Sequence, residues 1–365
     1  MKLGIVGLPN VGKSTLFNAI TKAGAQVANY PFCTIDPNVG VVAVPDKRLD
    51  FLEKLYKSKK KVPAAVEFVD IAGLVKGASQ GEGLGNQFLS HIRETAAIVH
   101  VVRCFESKDI THVMGGVDPL RDIEIIDTEL ILADMEAMSK KLERLDKGMR
   151  LQDKKIMAER ELALKVKTHL EAGNPARTLV LNDDEKSALK DFFLITSKPV
   201  LYACNVSESD LPSLENKYSQ IVKEKSKNEG AQAIPICAKI EAELSELSEN
   251  DQETFLKDLG LSEPGLNRLI KAGYDLLGLA TFLTAGEDES RAWTIKKGFL
   301  APQAAGVIHS DFERGFIRAE IMSFDDLRRL GNEKAVKDAG LLRSEGKEYV
   351  VKDGDIIEFR FNVTK

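Results

Sequence analysis

The chain has few of the features that mark a secreted, membrane-bound or disulfide-linked protein. Its 365 residues include four cysteines, at positions 33, 104, 204 and 237, and no two have the close spacing of a zinc knuckle or a redox motif. No apolar run approaches the roughly 18 residues of a membrane-spanning helix. Residues 1–7 are too short a run, and too soon broken by glycine, for a signal peptide. These absences predict a cytoplasmic protein with reduced thiols and no membrane partner.

The chain also has no large excess of charge of one sign. Its 51 basic and 56 acidic residues give a formal net charge of -5, which argues against a protein that coats nucleic acid along its whole length. A local basic segment remains: residues 140–167 hold ten Lys or Arg against five Asp or Glu. This segment is either the solvated face of a coiled coil or a surface that contacts phosphate backbones.

Short apolar runs alternate with helix-forming segments through much of the chain. The runs lie at residues 3–6, 39–44, 64–72, 96–104, 199–206 and 233–238, and helices are expected at 14–22, 214–228 and 265–279. Nearly continuous apolar strands separated by helices are typical of a parallel sheet that is covered on both faces. We therefore predict an α/β domain.

The predicted sheet is interrupted by residues 122–198, which are rich in helix formers. Apolar residues step by three and four through 123, 126, 130, 133 and 137, and again in a shifted phase through 135, 138, 142, 145 and 149. A polar stretch at 148–155 precedes a second run through Leu162, Val166 and Leu170. The pattern predicts an antiparallel helical hairpin, a coiled coil, inserted into the α/β domain.

The last 85 residues have a different pattern. Short strands are expected at 292–295, 306–308, 315–321, 349–351 and 356–361, with one main helix over 323–330. This predicts a separate α+β domain over 281–365. The expected division is a nucleotide-binding domain of residues 1–121 and 199–280, a helical insertion of 122–198 and this C-terminal domain.

Residues 7–14, Gly-Leu-Pro-Asn-Val-Gly-Lys-Ser, fit the phosphate-binding loop G-x-x-x-x-G-K-[ST] between a predicted strand and a predicted helix. Such a loop points backbone N–H groups at a phosphate, and the following helix adds its positive dipole end. Lys13 reaches the β- and γ-phosphates, and the Ser14 hydroxyl binds Mg²⁺. The predicted contacts here are Asn10, Val11, Gly12, Lys13, Ser14 and Thr15.

Three further residues are expected near the γ-phosphate and the metal. Asp70, at the end of the third predicted strand, suits a carboxylate on the Mg²⁺ side, acting through water. Gly73 could offer a backbone N–H to the γ-phosphate, and Thr34 could join Mg²⁺ when that phosphate is present. The glycine-rich loop that follows, with glycines at 77, 81, 83 and 85, is expected to be mobile, as a nucleotide-sensing switch requires.

The base-recognition loop departs from the guanine-specific pattern Asn-Lys-x-Asp. After the fifth predicted strand the chain reads Asn-Val-Ser-Glu, so Asn205 is kept while Val206 and Glu208 replace lysine and aspartate. The aspartate of the usual pattern accepts hydrogen bonds from guanine N1–H and the 2-amino group, which adenine lacks. The change is therefore expected to relax or reverse guanine preference. Cys237, Ala238 and Lys239 are expected to form the second loop beside the base.

The group that positions the attacking water is less well defined. Many hydrolases of this class have glutamine where this chain has Leu74. Lys13 and Mg²⁺ supply charge stabilisation in any case. His112 is a candidate catalytic group, because the loop after the fourth predicted strand could approach the switch; a structural or surface histidine is the alternative.

Together these motifs resemble the YchF, or Obg-like ATPase, family of the P-loop GTPase superclass, over nearly the whole chain. The resemblance implies ATP hydrolysis through the Asn-x-x-Glu variant at Asn205 and Glu208, a hydrophobic substitution at Leu74 and a catalytic role for His112. Asn10 is similar to the asparagine of relatives that use K⁺ as an activating cation. The C-terminal part resembles a TGS domain, a β-grasp module of RNA-linked proteins, and ribosome association fits the basic hairpin.

The sequence thus predicts a Mg²⁺-dependent P-loop ATPase that acts as a nucleotide-controlled switch, monomeric, with ATP as ligand and a ribosome or RNA contacted through the hairpin and the C-terminal domain. Three alternatives stay open at this point. One is a GTPase of the same fold, which also leaves GTP as a ligand. The others are a ribosome- or RNA-binding module with incidental hydrolysis and a stress-linked regulator that binds proteins through the hairpin.

Overall fold

A computed structural model describes residues 1–25, 38–71, 84–107, 115–148 and 153–362. The chain forms two compact units. The first consists of residues 1–42 and 67–273, and the second of residues 43–66 and 274–365. Among the described helices, none combines the length and the apolar character needed to cross a bilayer.

The first unit contains a six-stranded sheet in the order β2-β4-β1-β5-β6-β7. Its strands are β1 (Lys2–Val6), β2 (Val39–Ala43), β4 (Ala65–Asp70), β5 (Ala97–Arg103), β6 (Val200–Asn205) and β7 (Gln232–Ile236). β1 pairs in parallel with β4 and β5, and β6 pairs in parallel with β5 and β7. Every residue of β5 and β6 is buried, which is why these strands have nearly continuous apolar runs. The predicted parallel sheet is confirmed.

Helices connect these strands, as the alternating pattern predicted. They are α1 (Lys13–Ala25), α3 (Leu84–Glu94), α7 (Lys217–Asn228), α8 (Ala238–Leu244), α9 (Glu249–Asp258) and α10 (Gly265–Leu276). Glu241, a buried carboxylate on α8, accepts hydrogen bonds from the backbone N–H groups of Gly265 (2.8 Å) and Leu266 (3.0 Å). These two hydrogen bonds satisfy backbone donors in the first turn of α10 that have no partner within that helix.

The predicted helical hairpin lies between β5 and β6. It consists of α4 (Pro119–Gly148) and α5 (Lys154–Glu171), and α6 (Asp183–Lys190) follows. The first half of α4 packs on β5 and α7, and its buried residues there include Ile123, Ile126 and Leu130. The second half packs on α5 through Met138, Leu142, Leu162 and Val166, among others. The shift in phase between the two apolar series therefore marks a change of partner along one helix.

A buried ionic cluster lies where the hairpin joins the sheet. Arg177, in a 3₁₀ turn after α5, bonds Asp127 of α4 and Glu229 at the end of α7. Tyr202 of β6 donates its hydroxyl to Glu229 at 3.0 Å, and its ring packs beside His100 of β5. Burial lowers the pKa of His100 to about 4, so this imidazole is neutral at pH 7. The cluster links five segments of the first unit: the 3₁₀ turn, α4, α7, β6 and β5.

The second unit has a mixed sheet in the order β11-β10-β12-β8-β9-β3. Its strands are β3 (Lys60–Val62), β8 (Leu279–Thr284), β9 (Glu289–Lys296), β10 (Phe316–Ser323), β11 (Arg343–Glu345) and β12 (Asp355–Phe361). β8 and β12 are parallel, with Ile356 opposite Leu283, and each is also paired with an antiparallel strand. This parallel pair, with α11 (Ala301–Ile308) packed on β9 and β10, is the arrangement expected of the predicted β-grasp module.

Two strand predictions in this unit are wrong. Residues 306–308 lie in α11, whose alanine-rich sequence and early proline favour a helix; the three-residue apolar run was too short to show a period. Residues 349–351 form a single bridge, Leu300 to Val350, and no strand. The predicted helix at 323–330 is confirmed as α13 (Phe324–Leu330), and two short helices, α12 (Ser310–Arg314) and α14 (Glu333–Asp338), accompany it.

The second unit also includes a helix and a strand that the sequence analysis did not predict. α2 (Lys47–Tyr56) and β3 lie between β2 and β4 in the chain, and β3 pairs in parallel with β9. Asp46 caps α2 by accepting a hydrogen bond from Arg48 N at 2.9 Å. Arg48 then bonds Asp353 at 2.6 Å, which ties α2 to the loop before β12.

Candidate functional site

The loop of residues 7–12 joins β1 to α1, as the phosphate-binding motif predicts. Asn10 and Gly12 have positive φ angles of 63° and 94°. A Cβ on Gly7 would lie 2.9 Å from the Val101 carbonyl oxygen, and one on Gly12 would lie 2.2 Å from Nδ2 of Asn205. Both glycines are therefore required by close packing, and at Gly12 also by the left-handed backbone.

Lys13, the first residue of α1, lies beside Asp70 at the end of β4. The register places Ile5 opposite Asp70, and the Lys13 ammonium donates a short hydrogen bond to Asp70 Oδ1. Their side chains are 11% and 22% exposed, so both are screened by the protein on most sides. The structure thus brings the predicted phosphate-binding lysine to the predicted carboxylate of the metal site.

Ser14 and Thr15 lie in the first turn of α1, and both are exposed. Serine hydroxyls and carboxylates, here Ser14 and Asp70, are oxygen donors that Mg²⁺ accepts when substrate phosphates complete its coordination. The described residues contain no cluster of three or more His, Cys, Asp or Glu suited to hold a metal alone. The donor set therefore fits a metal that is held jointly by protein and nucleotide.

Asn205 connects the phosphate-binding loop to both base-side loops. It ends β6 and is 5% exposed. Its Nδ2 donates to the Val11 carbonyl oxygen at 2.9 Å, and its Oδ1 accepts from the Ala238 N–H at 3.0 Å. One side chain thus fixes the distance between residues 7–12, the end of β6 and the start of α8.

A cavity of about 580 Å³ opens beside Asn205, within the usual size range for small-molecule sites. Its lining includes most of the residues predicted for nucleotide binding: Asn10, Gly12, Thr15, Asn205, Val206, Glu208, Cys237 and Ala238. Val11, Lys13, Ser14 and Asp70 do not line this cavity; Asp70 lines a smaller one of about 110 Å³ with Asn38 and His91. The cavity therefore corresponds to the base side of the predicted site.

The cavity is lined by Lys239 of the predicted second base-side loop and also by residues that the sequence analysis missed, among them Phe105 and Glu106. Lys239 Nζ donates to Glu208 Oε2 at 2.7 Å, and this hydrogen bond raises the pKa of Lys239. Glu106 accepts a hydrogen bond from the Tyr218 hydroxyl and lies 3.5 Å from Lys217 Nζ. The Tyr218 bond and Lys217 together lower the pKa of Glu106. Each carboxylate that lines the cavity thus has donor partners.

Sequence gave only a weak signal for these contacts. Lys239 was expected in the second base-side loop with Cys237 and Ala238, but its bond with Glu208 was not predicted. Its pairing with Glu208 joins residues 31 positions apart, and it depends on the parallel pairing of β6 with β7.

Several predicted residues lie outside the described part of the chain. They are Thr34, Gly73, Leu74, His112 and the glycines at 77, 81 and 83. The predicted roles of Thr34 at the metal, Gly73 at the γ-phosphate and His112 in catalysis therefore stay predictions. Gly85, the last glycine of the predicted mobile loop, lies in α3.

The buried thiols near the site are not activated as nucleophiles. Cys104 at the end of β5, Cys204 on β6 and Cys237 before α8 are free and buried. A hydrogen bond with Cys204, together with burial, raises the pKa of Cys104, and burial raises that of Cys237. Both thiols are therefore protonated at neutral pH, and the cavity offers no thiolate for covalent chemistry.

Comparison with known proteins gives matches along the whole chain. A family model described as "50S ribosome-binding GTPase" matches residues 2–205, and the model YchF-GTPase_C, described as "Protein of unknown function (DUF933)", matches residues 279–362. The chain is 57% identical to "Ribosome-binding ATPase YchF" of Bacillus subtilis over 362 residues, 99% of each chain. It is 49% identical to "Obg-like ATPase 1" of Rattus norvegicus over 99% of this chain and 92% of the relative.

A solved structure is also similar throughout. It is that of the Schizosaccharomyces pombe YchF GTPase, with a TM-score of 0.89 and 44% sequence identity, covering 99% of this chain and 97% of that one. This likeness spans both compact units and the helical hairpin.

Proposed function

Since the chain belongs to the YchF family, we propose that it is a Mg²⁺-dependent ATPase that hydrolyses ATP to ADP and phosphate and acts as a nucleotide-controlled switch. The observation that carries this proposal is the base-side cavity. Asn205 ties the phosphate-binding loop to both base-side loops, and the residues that would recognise guanine are replaced by Val206 and by a Glu208 bonded to Lys239.

The chain's own residues would divide the work as follows. Backbone N–H groups of residues 10–14 and the ammonium of Lys13 would hold the phosphates, for which Lys13 would exchange its bond with Asp70. Ser14, Thr34 and Asp70, the last through water, would hold Mg²⁺, which supplies charge neutralisation when bound. Gly73 would contact the γ-phosphate, Asn10 would favour K⁺ as an activating cation, and His112 would orient water.

Calorimetric titration with non-hydrolysable analogues of ATP and GTP in the presence of Mg²⁺ tests the proposal. We expect tighter binding of the ATP analogue, and a shift toward GTP in the double variant Val206→Lys with Glu208→Asp, because that variant restores the guanine-specific pattern. A matched control is Lys223→Met with Glu215→Asp, which alters an ion pair outside the cavity. Clear GTP preference in the unmodified protein would refute the ATPase proposal and favour a GTPase of the same fold.

We further propose that the hairpin tip contacts ribosomal RNA, in keeping with the name of the bacterial relatives, "Ribosome-binding ATPase YchF". Among the described residues at 140–167, Lys140, Lys141, Arg160, Lys165 and Lys167 form ion pairs with acidic side chains. Four others near the tip are exposed and form none: Arg144, Lys147, Lys154 and Lys155. Unpaired cations are the groups available to phosphates.

Charge reversal at the tip tests this contact. The variant Lys154→Glu with Lys155→Glu should weaken ribosome co-sedimentation and reduce its salt dependence, because two phosphate contacts would be lost. Lys186→Glu with Lys190→Glu on α6 is the matched control, since it makes the same change in charge on another helix. Equal binding by the tip variant and the unmodified protein would contradict the proposed surface.

Three further proposals concern the functional modules, the cellular location and the oligomeric state. The division into residues 1–121 with 199–280, residues 122–198 and residues 281–365 is our proposal for the functional modules, with the last one as a TGS-like second contact for RNA. We propose a cytoplasmic location, because the relatives are named for ribosome binding. We also propose a monomer, which sedimentation equilibrium would test.

A further inference from the structure

The base-side cavity has an unusual arrangement of charge for a site that would read guanine. A guanine base offers two donors on its recognition edge, N1–H and the 2-amino group, so it needs an acceptor opposite them. Among the described lining residues, the carboxylates are Glu106 and Glu208. Glu106 is engaged by Tyr218 and Lys217, and Glu208 is engaged by Lys239.

Asp210, the other acidic residue of the turn that follows β6, also accepts hydrogen bonds from neighbouring groups. Asp210 accepts hydrogen bonds from Ser207 N at 3.0 Å and from Asn216 Nδ2 at 2.8 Å. These bonds close the 3₁₀ turn Glu208–Asp210 and set its orientation. Glu208 is thus the carboxylate of this turn that projects to the cavity, and its partner there is Lys239.

Lys239 is held in place by the same element that holds Asn205. Ala238 donates its N–H to Asn205 Oδ1, and Lys239 is the next residue, in the first turn of α8. The ammonium has three donor protons and no acceptor. One N–H of the Lys239 ammonium donates to Glu208, and its other N–H groups remain as donors at the cavity. These donors suit an acceptor such as adenine N1 and oppose guanine N1–H.

We infer that Lys239 is a specificity-determining residue that selects adenine over guanine. Its bond with Glu208 occupies the carboxylate that could accept from guanine, and its ammonium places hydrogen-bond donors at that position. The inference rests on the proposed ATPase function and deepens it. It assigns the selection to the Lys239–Glu208 pair rather than to the identity of residue 208 alone. The pair is partly exposed, 65% and 44%, so its effect is expected to be moderate and to weaken in salt.

The test measures the ratio of the dissociation constants of non-hydrolysable ATP and GTP analogues, with Mg²⁺, in the full chain. Lys239→Met keeps the length of the side chain and removes the charge, and it should shift the ratio toward GTP by about three- to fivefold. Lys239→Arg retains a donor to Glu208 and should keep the native ratio within about twofold. In a Glu208→Gln background, Lys239→Met should have a clearly smaller effect, because no carboxylate is released.

Lys223→Met on α7 is the matched control, because it breaks the exposed pair with Glu215, and neither residue lines the cavity. An unchanged ratio in Lys239→Met would overturn the inference, provided its thermal unfolding matches that of the unmodified protein. A shift in Lys239→Arg as large as that in Lys239→Met would also overturn it. The proposed ATPase function is judged separately, by whether the unmodified protein binds the ATP analogue more tightly, so the two can fail independently.

Discussion

Replacement of Arg177 by methionine tests the physical account of how the hairpin is fixed to the sheet. The Arg177 side chain is 8% exposed, and one of its terminal nitrogens lies 3.0 Å from Asp127 Oδ1 and 3.3 Å from Glu229 Oε2. The two carboxylate side chains are 12% and 10% exposed. Methionine fills most of the volume of the arginine stem, so the substitution removes charge with limited loss of packing.

The expected cost follows from the carboxylates that lose their partner. Removing one partner of a buried ion pair costs about 3–5 kcal/mol, because the remaining charge is left in a poorly solvated place. Glu229 keeps a second cation, Lys225, at 2.6 Å, while Asp127 loses the partner that bonds both its oxygens. We therefore expect the lower part of the range, about 3 kcal/mol, for Arg177→Met.

The pH dependence gives an independent check of the sign. Burial raises the pKa of Glu229, but Lys225 and Arg177 outweigh burial and lower it below the ordinary value. A lowered carboxyl pKa contributes stability that is present above the unfolded pKa, about 4.3, and is lost as the pH falls through the folded pKa. Arg177→Met removes part of that contribution, so the difference between the two proteins should be complete at pH 7 and shrink below about pH 4.

Urea denaturation followed by far-ultraviolet circular dichroism measures the free energy of unfolding at each pH. Adding Asp127→Asn to Arg177→Met should recover part of the loss, because the uncompensated charge is removed. Arg314→Met, which breaks an exposed pair with Asp311, is the control and should change the stability by less than about 1 kcal/mol. A loss below about 1 kcal/mol in Arg177→Met, with no dependence on pH, would refute the reasoning.

Three further changes have definite expected outcomes. Gly12→Ala should abolish nucleotide binding, measured by calorimetry, because its Cβ would lie 2.2 Å from Asn205 Nδ2; retained affinity would contradict the loop geometry. Asn205→Ala should cost about 1–3 kcal/mol in urea denaturation, since the Val11 carbonyl and the Ala238 N–H lose their partner; a neutral effect would show that water replaces it. His100, with a folded pKa of about 4, should make stability fall by about 3 kcal/mol from pH 6.5 to 4, and His100→Gln should remove that component of the titration.

Parts of the fold with a strong local signal could be predicted from the sequence. β5 and β6 are buried along their whole length, so their apolar runs are continuous, and the glycine loop at 7–12 lies between a strand and a helix as its motif requires. The hairpin was predictable because its two apolar series have a clear helical period. Asn205 and Ala238, which were each predicted to lie on the base side, are joined by a hydrogen bond of 3.0 Å.

Other parts depend on contacts between distant residues. β3 is a three-residue strand, Lys-Lys-Val, whose first two side chains are exposed, so it has no apolar pattern and exists through its pairing with β9. α11 was mistaken for a strand because its last three residues were read without the preceding Ala-Pro-Gln-Ala-Ala. Helix α2 had a readable signal in its Asp46 cap and in the buried Leu49 and Leu52, three residues apart. The Lys239–Glu208 pair could not be predicted from local sequence, because it depends on the register of β6 with β7.

The continuity of α4 has a mechanical consequence. Its 30 residues run without a break from Pro119 to Gly148, about 45 Å at 1.5 Å per residue. A rotation of about 10° about its N-terminal end would carry the far end through about 8 Å. Because the first half of α4 rests on β5 and α7, small displacements beside the nucleotide cavity would be amplified at the basic tip. The hairpin would therefore convert a small tilt at the base of α4 into a displacement of about 8 Å at its far end.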